Sequence, residues 1–374
     1  MRKKNVVVVD VGSSEIKVAL AVEGIDGSPI IERFCSKQYS GFSSDGFFDE
    51  NEFEDGLRLL VKELTLNSKL KFDRVLVGVP NAFLRIRRNK FHSELKRLKR
   101  INKSDVVALY KEGRRELDEG GYELISELPI YFGVNGKRVF NALGYHSSEL
   151  GGYISYVFAS KVFTDNVRRA LEYKRKVKIG FIGEGYAEGL YYFGANYKTE
   201  PIIIADIGYI TSSFTLLYGG GIVDEYSVDA GGGYVTASLL DKFSLSMEKA
   251  EELKRRLNVA LSDDTKWKYR LFSDLGVGEF DGAEVNLVAK EAIDEAVGAL
   301  DAFVERNEAK FQGNLKVCLT GGGISRIRGA IAHVSSRIGT DIELLVPDFA
   351  GQDKPERSVI ASLTDIAIGE KYVY

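Results

Sequence analysis

A short pattern that occurs twice constrains the fold of this chain more than any other feature. In each copy an apolar strand ends in aspartate, a glycine-containing turn follows, and a second strand begins. The copies run through Asn5 to Asp10, Gly12-Ser13-Ser14 and Ile16 to Val22, and through Pro201 to Asp206, Gly208 and Thr211 to Tyr218. A repeated unit of this kind predicts two similar α/β lobes that face each other.

Apolar periodicity predicts the other elements. With 374 residues the chain is too long for one ordinary core, in agreement with several domains. The spacing predicts helices over Glu52 to Leu64, Asn102 to Glu116, Phe163 to Tyr173, Met247 to Leu257 with Ser246 as N-cap, and Glu284 to Arg306. Further strands are predicted over Arg74 to Val79, Tyr153 to Ala159 and Leu315 to Thr320, and Asn135-Gly136 is typical of a hairpin turn.

Three loops that follow apolar strands carry the chemistry. Phosphate binding needs backbone N–H donors at close range, which glycine permits, and hydroxyls add further donors. The first loop offers Asp10, Gly12, Ser13 and Ser14, with Lys17 beyond, and the second offers Asp206, Gly208 and Thr211. The two aspartates, one per lobe, are candidates to hold magnesium beside a phosphate. The third loop, Gly321-Gly322-Gly323, offers a surface on which adenine and ribose can lie.

Composition excludes several classes of function. A net charge of -3 gives no general attraction to nucleic acid or anionic lipid, and no run of about 18 apolar residues is present. Three scattered histidines make a zinc site improbable. Two cysteines, Cys35 and Cys318, cannot form a disulfide framework, which favours a cytoplasmic location.

The three loops resemble the two phosphate motifs and the adenosine motif of the actin/DnaK-chaperone/sugar-kinase superfamily. Within it the chain is similar to the FtsA family of bacterial cell-division proteins. The matching segments are Asp10 to Lys17, Gly46-Phe47-Phe48-Asp49, Asn141-Ala142-Leu143-Gly144, Ala230 to Thr236, and Glu248 to Lys254. They follow the family's order from about residue 5 to 370.

The resemblance implies an actin-like, two-lobed α/β fold with duplicated ribonuclease-H-like domains and a small α+β domain inserted in the first lobe. The implied division is a first lobe of residues 1–84 and 161–200, an insert of 85–160, a second lobe of 201–236 and 313–355, a helical subdomain of 237–312, and a C-terminal helix of 356–374 that returns to the first lobe.

The resemblance also assigns roles within an ATP and magnesium site. Asp10 and Asp206 face the metal, and the residues of the first two loops hold phosphates. The adenosine is held by Gly232, Gly233, Glu251, Lys254, Gly321, Gly322 and Gly323. Glu184 matches the position of a water-orienting catalytic residue, although a solvated loop carboxylate is an equal alternative.

Two departures from the FtsA pattern limit these expectations. Tyr209 and Ile210 replace two glycines, and Ser213 replaces an acidic residue. Their bulk is expected to narrow the γ-phosphate side of the cleft, which favours binding, or at most slow hydrolysis, over rapid turnover. The residues from Asp365 to Tyr374 lack the family's amphipathic anchor, so we expect membrane attachment only through a partner.

The resemblance implies a nucleotide-gated scaffold that self-assembles into filaments, binds the C-terminal tail of the tubulin-like FtsZ and recruits other division proteins. A PilM-type adaptor of a pilus or secretion machine is the alternative. A sugar-kinase-like enzyme is a third reading, but no catalytic base for a substrate hydroxyl is evident. The basic run from Arg85 to Lys103 is expected to be a solvated face, with an acidic lipid or protein surface as the alternative.

Overall fold

The computed structural model describes residues 5–66, 71–172, 177–194, 196–261, 266–273, 276–313 and 315–369. Two five-stranded mixed sheets form the cores of two lobes. A third sheet, of four strands, belongs to an insertion between parts of the first lobe.

The first lobe begins with a meander of strands and one helix. Its elements before the insertion are β1 (Asn5–Val11), β2 (Glu15–Glu23), β3 (Pro29–Gln38), β4 (Phe42–Ser43), β5 (Gly46–Phe47), α1 (Glu50–Thr65) and β6 (Arg74–Val79). The valines of β1 are buried on both faces, as a central strand covered on both sides requires. Asp49 caps α1 by accepting hydrogen bonds from two backbone N–H groups.

The inserted domain is defined here as residues 84–160. It contains β7 (Leu84–Arg100), α2 (Lys103–Gly113), β8 (Tyr122–Val134), β9 (Lys137–Val139) and β10 (His146–Ser160) in the sheet order β7-β10-β8-β9. Asn135 and Gly136 have positive φ angles of 51° and 70°, as a two-residue hairpin turn requires. The basic run lies mostly on the edge strand β7, where Arg85 and Arg87 pair with Glu119 and Lys99 pairs with Asp105.

The first lobe resumes with α3 (Lys161–Leu171), β11 (Lys178–Gly183) and α4 (Glu184–Phe193), which complete a sheet of order β11-β6-β1-β2-β3. The second lobe contains β12 (Ile202–Ile207), β13 (Ser212–Tyr218), β14 (Gly221–Val228), α5 (Gly232–Phe243), α6 (Met247–Arg256), β15 (Lys268–Ser273), β16 (Gly276–Asp281), α7 (Gly282–Glu308), β17 (Lys316–Thr320), α8 (Ala330–Ile338) and β18 (Ile342–Leu344). Its main sheet has the order β14-β13-β12-β17-β18. Each lobe therefore has an antiparallel meander of three strands followed by two parallel strands.

The last helix, α9 (Ser358–Ile368), packs in the first lobe. Its Ile360 and Leu363 share a core with Val6 and Val8 of β1. The C-terminal helix was predicted over 356–374, and residues 370–374 of that range lie outside the described residues. Among the described residues, no helix is long and apolar enough to cross a membrane.

Candidate nucleotide site between the lobes

A cavity of about 560 Å³ lies between the two lobes, at the ends of the strands that carry the repeated pattern. The predicted site residues in its wall are Asp10, Gly12, Ser13, Ser14, Lys17, Glu184, Asp206, Gly208, Thr211, Glu251, Lys254, Gly321, Gly322 and Gly323. The fold thus brings together residues that are more than 300 positions apart in the chain. A cavity of this size is within the usual range for small-molecule sites.

The first two loops have the same backbone geometry. Gly12 N donates to Glu15 O (3.1 Å), and Gly208 N donates to Thr211 O (3.0 Å). A Cβ at Gly12 would lie 2.9 Å from Glu15 O, and one at Gly208 would lie 2.7 Å from Thr211 O. Both turns therefore require glycine because the chain folds back on itself too closely for a side chain.

Ser13 connects the two loops across the cleft. Its Oγ accepts hydrogen bonds from the backbone N–H groups of Ile210 (3.0 Å) and Thr211 (3.3 Å). These amides belong to the loop that is predicted to hold phosphate. The serine oxygen therefore occupies an acceptor position that a phosphate oxygen can take.

The two loop aspartates differ in their surroundings. Lys17 Nζ donates to Asp10 Oδ2 at 2.8 Å, and this ion pair is buried. Burial, followed by the negative charge of Asp10, raises the pKa of Asp206 to about 6. The two aspartates thus share one nearby ammonium group, that of Lys17, and a metal ion or a cationic group would improve this balance of charge.

Glu184 is the first residue of α4 and is only 9% exposed. Burial, followed by the charges of Asp10 and Asp206, raises its pKa well above the ordinary value. Its Oε1 has no hydrogen-bond partner among the described residues. The alternative of a solvated loop carboxylate is therefore wrong, because the side chain is in a helix and in the cavity wall.

The glycines of the third loop are packed against the second loop. Gly321 has a φ of 87°, and a Cβ there would lie 2.1 Å from Asp206 Oδ1. Gly323 N donates to Ile207 O at 2.8 Å, and a Cβ at Gly323 would lie 2.1 Å from Gly208 O. Close contact between these two loops explains Gly321 and Gly323 without a ligand. Their proposed contact with adenosine rests on their place in the cavity wall.

Tyr209 lies with the residues that were assigned to the nucleoside. Its Oη donates to Glu251 Oε1 at 2.9 Å, and Lys254 Nζ lies 4.8 Å from the centre of its ring. We expected its bulk to narrow the γ-phosphate side of the cleft, but the side chain turns towards Glu251 instead. Ile210 points the other way, to within 2.9 Å of the position of a Cβ on Gly41 of the first lobe.

Two predicted residues are not in the cavity wall. Gly232 and Gly233 begin α5 and are absent from the lining residues. Their N–H groups donate to Gly208 O (2.9 Å) and Tyr209 O (2.7 Å). These two donors are therefore already hydrogen-bonded to the second loop. The Tyr209 ring lies against this helix start, since its Cε1 would be 2.9 Å from a Cβ on Gly233.

Other wall residues were not predicted from the sequence. Met247, Arg255 and Arg326 line the cavity. Arg255 is adjacent to the assigned Lys254, and Arg326 follows the glycine run by three positions, so proximity to a motif was the available signal. The side chain of Arg326 pairs with Glu356, which precedes α9.

The donor set fits magnesium bound together with a phosphate. No group of three or more carboxylate, histidine or cysteine side chains within the described ranges converges closely enough to hold a metal by itself. Magnesium retains several waters and commonly uses one or two carboxylates plus substrate phosphates. Asp10 and Asp206 are two such carboxylates, one from each lobe, in the wall of a single cavity.

Comparison with known proteins defines the fold. A scan against protein-family models finds no match. A search of curated proteins also finds none. Solved structures do match over nearly the whole chain.

One match is a PilM-PilN type IV pilus biogenesis complex, with 17% identity, 97% of this chain and 98% of that chain covered, and a TM-score of 0.67. A second is MreB5 of Spiroplasma citri bound to AMPPNP, with 10% identity, 98% and 97% coverage, and a TM-score of 0.59. A third is the MamK double helical filament, with 13% identity, 99% and 100% coverage, and a TM-score of 0.54. The chain therefore has the actin-like, two-lobed α/β fold, with duplicated ribonuclease-H-like domains and a small α+β domain inserted in the first lobe.

Proposed function

We propose that this chain is an ATP-binding, actin-like adaptor. The observation that carries the proposal is the placement of Asp10 and Asp206, at equivalent positions of two repeated loops, in the wall of one interlobe cavity. ATP with magnesium would bridge the lobes, since each lobe supplies one carboxylate and one phosphate loop. Binding that bridges two lobes favours one lobe angle, and such a shift can control self-assembly or partner binding.

Slow hydrolysis fits this proposal. Glu184 is the candidate to orient the attacking water, and its raised pKa keeps the carboxyl protonated over a wider pH range than usual. A protonated carboxyl is a poor acceptor for the proton of an attacking water. We therefore infer that any turnover lies far below the enzyme median of about 10 per second.

The first partner hypothesis is the FtsA-type function, with the FtsZ tail as partner and filament formation in the cell. It rests on motifs that also have local structural roles. Asp49 of the Gly46–Asp49 segment caps α1, and Asn141 of the Asn141–Gly144 segment accepts a hydrogen bond from Leu143 N (3.0 Å). These segments alone therefore do not select the FtsZ tail.

The second partner hypothesis is a PilM-type function. It is supported by the PilM-PilN complex, which matches over nearly both full chains. Both hypotheses place the protein in the cytoplasm, at the membrane only through a partner. Division genes beside the coding sequence would favour the first, and pilus genes the second.

Calorimetry with Mg-ATP tests the nucleotide proposal. We expect micromolar affinity, about -8 kcal/mol. Asp206→Ala should lose the magnesium-dependent part of the affinity, and Asp241→Ala, an exposed position on α5, is the matched control. An absence of both heat and thermal shift at saturating Mg-ATP would refute the proposal.

Pull-down with an FtsZ tail peptide and with a PilN-type protein from the same genome then separates the two partner hypotheses. Each is measured with and without Mg-ATP. Binding of only one partner selects the corresponding hypothesis, and binding of neither contradicts both.

A further inference from the structure

Tyr209 fills space that a glycine at its position would leave open. Its hydroxyl donates to Glu251 Oε1 (2.9 Å), and its ring lies 4.8 Å from Lys254 Nζ and against Gly233 at the start of α5. Gly233 is behind this ring, and both Gly232 and Gly233 are outside the cavity wall. The side chain therefore stands between the cavity and part of the surface that was assigned to adenosine.

Glu251 and Lys254 are already committed to protein partners. Glu251 Oε1 accepts from Tyr209, from Thr236 and from Lys254 (2.9 Å). Lys254 Nζ also donates to Gly232 O (3.0 Å) and Thr236 Oγ1 (2.9 Å). An ammonium group has three N–H donors, and all three are in use. Glu251 Oε1 and Lys254 Nζ are therefore fully engaged by the protein while Tyr209 holds its position.

The phosphate half of the cavity is different. Ser14 lines the cavity, and its Oγ makes no hydrogen bond with the described residues. The phosphate end thus keeps one free hydroxyl, that of Ser14, whereas at the nucleoside end Tyr209 occupies Glu251 Oε1. The Tyr209 side chain can take the place of a ribose hydroxyl and its base. Its hydroxyl donates to the Glu251 carboxylate, which was assigned to the nucleoside, and its ring covers apolar surface as a base would.

We propose that Tyr209 is a gate for the nucleoside half of the site, which must leave Glu251 before a nucleotide can bind fully. The inference rests on the proposed nucleotide binding and adds a residue that sets affinity and selectivity. In the closed position the protein recognises a polyphosphate nearly as well as a nucleotide. Displacement of Tyr209 frees Glu251 Oε1 and exposes the start of α5, and selectivity for the nucleoside then develops.

The test compares Mg-ATP with magnesium tripolyphosphate, which has no nucleoside. Calorimetry is performed on wild type, Tyr209→Ala, Tyr209→Phe, and Tyr234→Ala as control. Tyr234 is an exposed tyrosine near the start of α5, and it is not in the cavity wall. Tyr209→Phe keeps the ring and its packing, so it provides a result if the alanine variant fails to fold.

We expect Tyr209→Ala to bind Mg-ATP at least about tenfold more tightly than wild type, equivalent to about 1.4 kcal/mol, with tripolyphosphate unchanged. Tyr209→Phe should shift in the same direction by a smaller factor, because only the hydrogen bond to Glu251 is lost. Tyr234→Ala should match wild type with both ligands.

Other outcomes overturn the inference in distinguishable ways. If wild type already prefers ATP and Tyr209→Ala weakens ATP alone, Tyr209 is a supporting wall, and nucleotide binding still stands. Equal shifts for both ligands place the effect outside the nucleoside half and contradict the gate. If no variant binds either ligand, the proposed nucleotide function fails and the gate fails with it.

Discussion

Ser13 joins the first loop directly to the second loop. Its hydroxyl accepts from Ile210 N and Thr211 N across the cleft. Ser13→Ala should lower the stability of the ligand-free protein by about 1–3 kcal/mol, because two amides lose their acceptor. With saturating Mg-ATP the deficit should shrink, since a phosphate oxygen replaces the hydroxyl. Thermal unfolding with and without ligand measures both effects.

Ser14→Ala is the control for the ligand-free measurement. Its hydroxyl has no hydrogen-bond partner in the described part of the chain, so its removal should change ligand-free stability little. A Ser13→Ala deficit that persists unchanged in Mg-ATP would show that phosphate does not take the place of this hydroxyl.

Glu188 supplies a pH-dependent prediction. It is 0% exposed, and neither carboxylate oxygen has a hydrogen-bond partner among the described residues. Burial, followed by the charge of Asp206, raises its pKa well above the ordinary value. The folded state therefore keeps a proton that the unfolded state releases above about pH 4.3. Because the folded state then binds more protons, the free energy of unfolding falls as the pH rises from there towards the raised pKa.

Glu188→Gln resembles the protonated form of the carboxyl at every pH. The substitution therefore removes the loss of stability that wild type shows as the pH rises. We expect the variant to be more stable than wild type by at least about 1 kcal/mol near pH 8, and by less near pH 5. Urea unfolding at the two pH values is the measurement, with Glu295→Gln at an exposed position of α7 as control. A constant difference between the two pH values would contradict the assignment of this carboxyl.

At the scale of elements, the turn between β13 and β14 joins the second lobe to the inserted domain. Gly219 has a φ of 73°, and a Cβ there would lie 1.6 Å from Ile130 O of β8. Gly339 has the same φ of 73°, with nothing within 4 Å of its Cβ position. A comparison of substitutions at Gly219 and Gly339 therefore separates the cost of backbone conformation from the cost of contact with the inserted domain.

Gly339→Ala should cost about 1–2 kcal/mol, the usual penalty for a left-handed conformation. Gly219→Ala should cost about 1–3 kcal/mol more, because β8 must move away from the added methyl group. Chemical denaturation of both variants tests the difference. Equal costs would mean that the turn does not pack tightly on the inserted domain.

Sequence reasoning found the elements with strong patterns and missed those without them. β1, α1 and α7 have regular apolar spacing, and their predictions are confirmed within a few residues. α5 was not predicted as a helix because it begins with two glycines, which are poor helix formers. The sequence of β7 shows only a basic run, since positive charges on an edge strand hide its alternation.

The site could be predicted as a set of loops but not as a set of contacts. Repetition placed Asp10 and Asp206 at equivalent loop positions. The direction of Tyr209 depends on Glu251, which is 42 residues away in sequence, in α6. The bond from Ile210 N to Ser13 Oγ joins residues 197 positions apart. Partners this distant are set by tertiary packing, which local spacing in one sequence does not encode.

At the scale of the whole molecule, Ser44 and Asp229 form another contact between the two lobes. Ser44 N and Oγ donate to the two carboxylate oxygens of Asp229, at 2.8 Å and 2.6 Å. Ser44 is between β4 and β5 of the first lobe, and Asp229 follows β14 of the second lobe. Nucleotide entry should require these two segments to separate.

A disulfide between Ser44→Cys and Asp229→Cys tests that requirement. The native cysteines interfere little, since Cys318 is buried and Cys35 is half-buried. Oxidation should slow nucleotide exchange strongly and trap nucleotide loaded beforehand, and reduction should restore exchange. Ser44→Cys alone is the control. An unchanged exchange rate in the oxidised double variant would show that nucleotide enters by another route.

The two lobes are connected by more than the chain that crosses between them. The inserted domain, which belongs to the first lobe by sequence, also holds the second lobe through Asp224. This carboxylate accepts from Arg306 (3.0 Å) and Asn307 (3.0 Å) of α7 and lies 3.5 Å from Arg88 of β7. Separation of the lobes therefore either carries the inserted domain along or breaks this junction. A partner that pulls on the inserted domain would exert torque on the cleft, so mechanical load and nucleotide affinity would become two coupled variables of one equilibrium.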